Sequence, residues 1–320
     1  MLFKRLFLSC VLLGSALASQ AANEDLWLVL QKTAVAAHAL SYKGIFICQS
    51  GSQSKSVEIK HLFDGQHEFA HNVVLDGSPR EVLSQGGEVV IYNPKNEKIV
   101  IEKRRGQNMF PAILPTDLTG IKANYELRAG GSERVADRQA QILFLEAKDQ
   151  LRYSYQFWVD SEYGLLLKSV MLNSHNEMLD SMAFNQLGLI NNVDLDWFKP
   201  KIDAKKAYVM EDVNTVADKQ DSAHWRLNAL PEGYVKVDQM LRKVRGKSVP
   251  VNHIIFSDGL ASVSLFIEPL EQGIKPRAGR SLVGNTSFYA SVVGNLQITV
   301  VGEVPELTVA KIAQAVVFVK

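Results

Sequence analysis

Histidines are the residues of this 320-residue chain whose types and spacing first suggest chemistry. His61, His67 and His71 are clustered, and an even separation places His67 and His71 on one face of a straight strand. A metal site usually needs three or four convergent ligands. Asp64 and Glu68 lie nearby, but the spacing matches no established metal signature. The sequence therefore predicts surface or half-buried histidines and no metal site.

Motifs for catalysis are missing from the sequence. No GxSxG, HExxH or Walker sequence occurs, and no pair of acidic residues stands out as an acid and its base. The paired glycines at 86–87 and 130–131 are typical of turns rather than of phosphate-binding loops. Cys48 lies among aliphatic neighbours in GIFICQS, which is typical of a buried, poorly reactive thiol. We therefore predict a protein that is not an enzyme and that needs no cofactor.

Residues 1–22 have the pattern of a secretory signal peptide. Lys4 and Arg5 precede the apolar run LFLSCVLLGSALA, which ends in small residues suited to cleavage. A membrane anchor is the alternative, but this run is shorter than the roughly 20 residues that span a bilayer. Cleavage leaves Cys48 as the single cysteine, so no intramolecular disulfide forms. Such an exported protein is compatible with the bacterial periplasm, where nucleic acid is not an expected partner.

Hydrophobic periodicity predicts the elements that would position any site. Residues 24–42 have the apolar spacing of a helix, and strands follow with DG turns at 64–65 and 76–77. The stretch 152–184 alternates with period two and is broken by DSEYG and NSHN, so its strands form an antiparallel meander. No strand–helix–strand rhythm occurs, which argues against a doubly wound fold.

Composition divides the mature chain into two predicted domains. The charged and less regular stretch 198–221 is predicted to be a linker between an N-terminal domain at 23–197 and a small α+β domain at 222–320. The second domain carries 11 Lys and Arg against 7 Asp and Glu, and the first domain with the linker carries 22 against 27. The difference makes the C-terminal domain the basic part of the chain.

A basic cluster in the C-terminal domain is a candidate partner-binding site. We interpret it either as a solvated loop or as a docking patch for an acidic peptide or an anionic lipid head. Its members are Lys236, Arg242, Lys243, Arg245 and Lys247.

An apolar cavity is the second candidate site. A twisted antiparallel sheet can bury one face against a helix and leave a concave face for a ligand. Aromatic and methionine residues of the meander are candidates to line such a lipid site, under a proline-containing loop as a flap, and plain core packing is the alternative. The candidates are Tyr153, Tyr155, Phe157, Met171, Met182 and Phe184 in the meander, with Met109, Phe110, Ile113 and Leu114 in the loop.

Long collinear segments of the chain resemble the RseB/MucB family, periplasmic regulators of the envelope-stress sigma factor sigma-E, which is AlgU in some bacteria. The segments are LDGSPREVLSQGGEVVIYNP at 75–94, RVADRQAQILFLEAKDQLRYSYQFWVDSEYGLLLKSVML at 134–172, LPEGYVKV at 230–237, FSDGLASVSLFIE at 256–268 and QITVVGEVPELTVAKIAQAV at 297–316. The resemblance implies an α+β fold: an N-terminal half-open antiparallel β-barrel with helices, like that of lipoprotein carriers, and a smaller C-terminal α+β domain.

The resemblance also implies a function. Members of the family bind the periplasmic region of a membrane-spanning anti-sigma factor, RseA or MucA, and shield it from proteolysis. Lipopolysaccharide or a related acyl lipid relieves that binding. The family offers no catalytic motif and no short binding signature that could be placed on this sequence. The sequence leaves open whether the protein forms a homodimer. A periplasmic lipid or lipoprotein carrier is the alternative function, suggested by fold similarity alone, and an exported hydrolase is a third.

Overall fold

The fold is that of an α+β protein, as predicted, with two large sheets and one two-stranded sheet among the described residues. The computed structural model describes residues 25–85, 88–93, 98–103, 109–191, 194–199, 209–212, 225–242, 250–270, 273 and 275–318. The predicted signal peptide lies outside these residues. Within the described ranges, no helix is both long enough and apolar enough to cross a membrane.

The N-terminal sheet has twelve strands in the described part of the chain. In chain order they are β1 (Tyr42–Ser50), β2 (Gln53–Phe63), β3 (Glu68–Val74), β4 (Arg80–Gln85), β5 (Glu88–Asn93), β6 (Lys98–Lys103), β7 (Tyr125–Val135), β8 (Arg138–Ala147), β9 (Ser154–Asp160), β10 (Leu166–Leu172), β11 (Met178–Leu189) and β12 (Val209–Asp212). Their spatial order is β12-β6-β5-β4-β3-β2-β1-β11-β10-β9-β8-β7. Both DG turns and the predicted meander, β9 to β11, are therefore confirmed.

Pairing of β1 with β11 joins the early hairpins to the meander in one sheet. The register runs from Tyr42 opposite Leu189 to Ser50 opposite Asp180. At the far edge, β12 pairs parallel with β6, so part of the predicted linker is an ordered strand. The domain boundaries at 23–197, 198–221 and 222–320 stay predictions.

Helices and one loop cover the inner face of this sheet. Helix α1 spans residues 25–39, three residues short of the predicted end, because Tyr42 already belongs to β1. Its side chains at Leu30, Ala34 and Ala37 are buried in the core of the sheet, and their spacing of three and four residues is that of one helix face. A short helix, α2 (Thr119–Asn124), follows the loop that contains residues 109–118.

The glycine pair at 130–131 is not in a turn, contrary to the prediction. Both glycines lie inside β7, where the register with β8 shifts between Ala129 and Ser132. A Cβ at Gly130 would lie 2.9 Å from the Cβ of Ile142, well inside van der Waals contact. Glycine is therefore needed here because the two strands approach closely at a bulge.

Within the described residues, the C-terminal sheet has six strands in the order β14-β15-β16-β19-β18-β17. They are β14 (Val235–Arg242), β15 (Val251–Ser257), β16 (Ser262–Pro269), β17 (Gly279–Val283), β18 (Thr286–Val293) and β19 (Leu296–Gly302). Helix α3 (Glu306–Gln314) buries Val309 and Ile312 against this sheet. A separate pair, β13 (Trp225–Leu227) and β20 (Val316–Phe318), lies beside it. The sequence PELTVAKIAQAVVF, from Pro305 to Phe318, predicts one closing helix; the helix forms but ends at Gln314, because Val316–Phe318 pair with β13 as a strand.

Candidate functional site

The candidate lipid-lining residues lie mostly in the packed interior of the N-terminal domain. Phe110, Leu114, Phe157 and Phe184 are each no more than 3% exposed. The Phe110 ring lies 5.1 Å from that of Phe184, so the loop that was expected to act as a flap is wedged into the core. Met171 is also buried. The half-buried candidates are Met109, Ile113, Tyr153, Tyr155 and Met182. An acyl chain would have to displace the loop to reach the buried ring of Phe184.

A preformed cleft lies elsewhere, against β3, β4 and β5. Its volume is about 650 Å³, and Phe69, Leu83, Val90, Tyr92 and Phe198 supply its apolar lining. Phe198 comes from a 3-10 helix, Leu195–Phe198, and its ring lies 5.7 Å from that of Phe69. The volume is within the range of ligand pockets. Sequence reasoning missed this cleft because the covering helix lies more than 100 residues from the strands.

His61 on β2 and His71 on β3 are buried, contrary to the prediction of surface or half-buried rings. His71 Nδ1 lies 2.7 Å from the carbonyl oxygen of Trp197, and Nε2 lies 3.0 Å from Glu81 Oε2. His61 is held in the same way, between the Leu40 carbonyl oxygen at 2.8 Å and a Glu68 carboxylate oxygen at 3.1 Å. Hydrogen bonds to these acceptors compensate for burial of the polar rings.

The other predicted member of the histidine cluster, His67, is exposed in the turn before β3. It does not share a strand face with His71 because β3 begins at Glu68. Among the described residues, no group of three or more His, Cys, Asp or Glu side chains is placed to hold a metal ion.

Glu68 connects helix α1 to the β2–β3 hairpin. His38 Nδ1 lies 3.0 Å from both of its carboxylate oxygens, and His61 lies on its other side. Burial opposes ionisation, but hydrogen bonds from His38 and His61 hold the pKa of Glu68 far below its usual range. The charged Glu68 carboxylate therefore links helix α1 to the β2–β3 hairpin through hydrogen bonds with the two histidines.

The loop between β8 and β9 inserts into the C-terminal domain. Leu151 is 8% exposed and belongs to the core of that domain, beside Tyr234 and Ile312. Its carbonyl oxygen accepts hydrogen bonds from the Tyr234 hydroxyl at 3.0 Å and from the Thr308 hydroxyl at 2.6 Å. Leu151 of the first domain is thus a core residue of the second, so the two domains share part of their packing.

Arg152 is fully buried at this junction. Its Nη2 donates a hydrogen bond to the Glu232 carbonyl oxygen at 2.6 Å. Its Nε lies 3.3 Å from Asp149 and 3.9 Å from Asp258, and the Asp258 side chain is also fully buried. The guanidinium further lies over the rings of Tyr125 and Tyr234, at 5.8 and 5.4 Å from their centroids. Charge and cation–π contacts offset part of the desolvation of the cation, whose Nε and Nη1 have no hydrogen-bond partner among the described residues.

Tyrosine hydroxyls around Arg152 remain protonated. Burial, with the charge of Asp258 as the second cause, raises the pKa of Tyr125, Tyr155 and Tyr234 well above the usual range. The protonated Tyr125 hydroxyl donates a hydrogen bond to Asp258 Oδ2 at 3.3 Å. Tyr125 and Tyr234 are therefore neutral hydrogen-bond donors at the junction.

The basic cluster is described only in part. Lys236 is exposed on β14, and Arg242 is half-buried at the end of the same strand. Lys243, Arg245 and Lys247 lie outside the described residues.

Family models match nearly the whole described chain. The model of the MucB/RseB N-terminal domain matches residues 27–202, and that of the MucB/RseB C-terminal domain matches residues 219–317. The chain belongs to the MucB/RseB family.

Relatives of this MucB/RseB chain are similar over almost their full lengths. The sigma factor AlgU regulatory protein MucB of Pseudomonas aeruginosa is 29% identical over 96% of this chain and 95% of its own. The sigma-E factor regulatory protein RseB of Salmonella typhimurium is 25% identical over 98% of both chains. A crystal structure of MucB in complex with MucA(peri) covers 91% of this chain and 98% of its own, with 27% identity and a TM-score of 0.72. The two-domain fold is thus that of MucB.

Proposed function

We propose that this protein is a periplasmic negative regulator of a sigma-E-type sigma factor. It acts by binding the periplasmic region of a MucA-like or RseA-like anti-sigma factor and by shielding that region from proteolysis. The observation that carries the proposal is the likeness, over both domains, to MucB in complex with MucA(peri). The signal-peptide pattern at 1–22 supports a periplasmic location.

A pull-down tests this proposal. The mature chain, immobilised through its C-terminus, is incubated with detergent extract of inner membranes from its own organism, and bound proteins are identified by mass spectrometry. We expect a membrane-spanning anti-sigma factor, and addition of the mature chain should slow cleavage of its periplasmic region by a protease that degrades that region when it is free. Absence of the factor from the bound fraction, or unchanged cleavage, would contradict the proposal.

The basic cluster is proposed to attract the partner. Charges at the rim of an interface mainly set the association rate and its salt dependence. We expect Lys236→Glu together with Arg242→Glu to slow association with the anti-sigma region and to flatten the salt dependence, as measured by stopped-flow fluorescence. Arg128→Glu, an exposed cation on the N-terminal sheet, is the matched control. Association rates that are unchanged at every salt concentration would remove the cluster from the interface.

Lipid is proposed to act as the release signal. An acyl chain would enter the N-terminal domain between the meander and the loop 109–114, where each buried CH₂ contributes about 0.8 kcal/mol towards opening the loop. The cleft lined by Phe69, Tyr92 and Phe198 is a second place for such a chain. Coupling must be reciprocal, so lipid should lower affinity for the anti-sigma region by the same factor as that region lowers affinity for lipid. Independent binding of the two ligands in calorimetric titrations would refute this part of the proposal.

A further inference from the structure

One edge of the C-terminal sheet is open and fully exposed. Strand β17 pairs only with β18 among the described residues, and every residue from 275 to 283 is exposed. Two of them are large aliphatic residues, Leu282 at 55% and Val283 at 66% exposure. We call residues 275–283 the edge strip. An exposed strand edge presents backbone groups with which another extended chain can pair.

The register shows which backbone groups of β17 face outwards. A two-residue turn, Gly284–Asn285, connects Val283 to Thr286, and closing pairs of such hairpins exchange both backbone hydrogen bonds. Hydrogen-bonded and non-hydrogen-bonded pairs alternate along the two strands. The backbone N–H and C=O groups of Val283 and Ser281 therefore bond to β18, whereas those of Leu282 and Arg280 point away from it. The neighbouring hairpin, closed by the pair of Val293 and Leu296, gives the same alternation for β18. The N–H and C=O groups of Arg280 and Leu282 therefore lie along the open edge.

The edge strip is held at both ends. At its start, the Gln297 side chain accepts a hydrogen bond from the Arg277 N–H at 2.8 Å and donates one to the Arg277 carbonyl oxygen at 2.9 Å. Beyond its end, the Asn285 side chain donates to the Leu179 carbonyl oxygen of the N-terminal domain at 2.8 Å. A preorganised strip loses less conformational freedom when it binds a partner.

Charge selects the kind of partner. The strip carries Lys275, Arg277 and Arg280 and no acidic residue, and among the described residues no carboxylate forms an ion pair with these three cations. Such a strip repels a second copy of itself, which protects the edge against self-association. The same charges attract an acidic strand, since opposite charges across a strand pair are stabilising.

We propose that the edge strip is a docking site for an acidic, extended segment of a partner polypeptide, which adds to β17 as a further strand. Backbone hydrogen bonds to Arg280 and Leu282 would supply affinity, and Lys275, Arg277 and Arg280 would supply the preference for acidic sequence. Identification of the partner as the anti-sigma factor rests on the proposed function; the docking strip itself does not.

Fluorescence anisotropy of the mature chain with a labelled peptide of alternating Glu and Val residues tests the strip. We expect Leu282→Pro to weaken binding by roughly tenfold, because proline removes an outward N–H and breaks no bond to β18. Arg277→Glu with Arg280→Glu should weaken binding and reduce its salt dependence. Arg226→Glu with Lys311→Glu, which changes two exposed cations elsewhere in the domain, is the matched control and should bind as the wild type does.

A second peptide of the same sequence, N-methylated at every residue, keeps the charge but has no backbone N–H to donate on either edge, and it needs no protein variant. Equal binding of the two peptides would overturn the proposal. Phosphatidylglycerol vesicles that displace the unmodified peptide as well as an excess of unlabelled peptide does would also overturn it, because their anionic head groups offer charge without a strand. A chain that binds the unmodified peptide but not the anti-sigma region contradicts the proposed function and leaves the strip standing. If the Leu282→Pro variant remains folded and binds both the unmodified peptide and the anti-sigma region as the wild type does, the edge strip is not the docking site, and the proposed function is unaffected.

Discussion

Replacement of Arg152 by methionine should strongly destabilise the junction between the domains. Methionine keeps the apolar stem but removes the cation, so Asp258, whose side chain is fully buried, loses its counter-charge. Breaking a buried ion pair from one side costs about 3–5 kcal/mol. Here the lower end applies, because Asp258 Oδ1 still accepts hydrogen bonds from the Leu260 and Ala261 amides. About 3 kcal/mol is a large part of a typical stability of roughly 5–15 kcal/mol.

Urea unfolding of the mature chain at pH 7, followed by tryptophan fluorescence, measures this loss. Arg128→Met is the matched control: Arg128 and Glu146 lie 2.6 Å apart, but both side chains are about half exposed, so we expect a loss below about 1 kcal/mol. Adding Asp258→Asn to Arg152→Met should restore part of the stability, because it removes the uncompensated charge. A loss below about 1 kcal/mol for Arg152→Met, or no recovery in the double variant, would refute the assignment of a buried ion pair.

Three further outcomes are expected. Leu151→Ala should lower the free energy of unfolding by about 2–5 kcal/mol in the same urea assay, and a loss below about 1 kcal/mol would show that Leu151 is not a core residue of the C-terminal domain. Burial raises the pKa of Glu68, but hydrogen bonds from His38 and His61 lower it by more, so its charge contributes stability that is present above the unfolded pKa, about 4.5, and is lost as the pH falls through the lower folded value. Urea midpoints measured from pH 6 to pH 3 should therefore fall less steeply with acid in Glu68→Gln than in the wild type. An unchanged fall would contradict the ionised Glu68 between His38 and His61. Burial, and then the Asp180 charge, raise the pKa of the Cys48 thiol, so a thiol reagent at pH 8 should label the native chain more slowly than the urea-unfolded chain, and equal rates would count against this environment.

Local patterns determined the elements of this protein. The alternation in 152–184 predicted β9, β10 and β11, because side chains of a half-buried strand must change face at every residue. The DG pairs predicted the turns beside β3, since aspartate and glycine tolerate turn conformations. Periodicity also predicted α1. The resemblance to RseB/MucB, which rests on long collinear segments, correctly implied a large antiparallel sheet followed by a smaller α+β domain.

Tertiary structure decided which of these elements meet. Pairing of β1 with β11 joins Tyr42 to Leu189, and no local pattern specifies a partner so distant in sequence. A bulge shifts the register of β7 at Gly130 and interrupts the alternation of apolar and polar residues there. The sequence therefore predicted a turn at these glycines. The candidate residues of 109–114 and 153–184 were correctly recognised as apolar, but apolar character alone does not distinguish a cavity wall from a packed core. Whether they bind lipid stays a prediction.

The buried polar groups were decided by tertiary structure alone. His61, His71 and Arg152 are ordinary surface residue types by sequence, and each is buried where at least one oxygen acceptor from a distant segment lies within hydrogen-bond distance. A polar side chain can be buried when such partners compensate for lost hydration, and the chain brings those partners together only when it folds. The sequence by itself thus determined where strands and helices form, whereas long-range packing determined which polar side chains join the two domains.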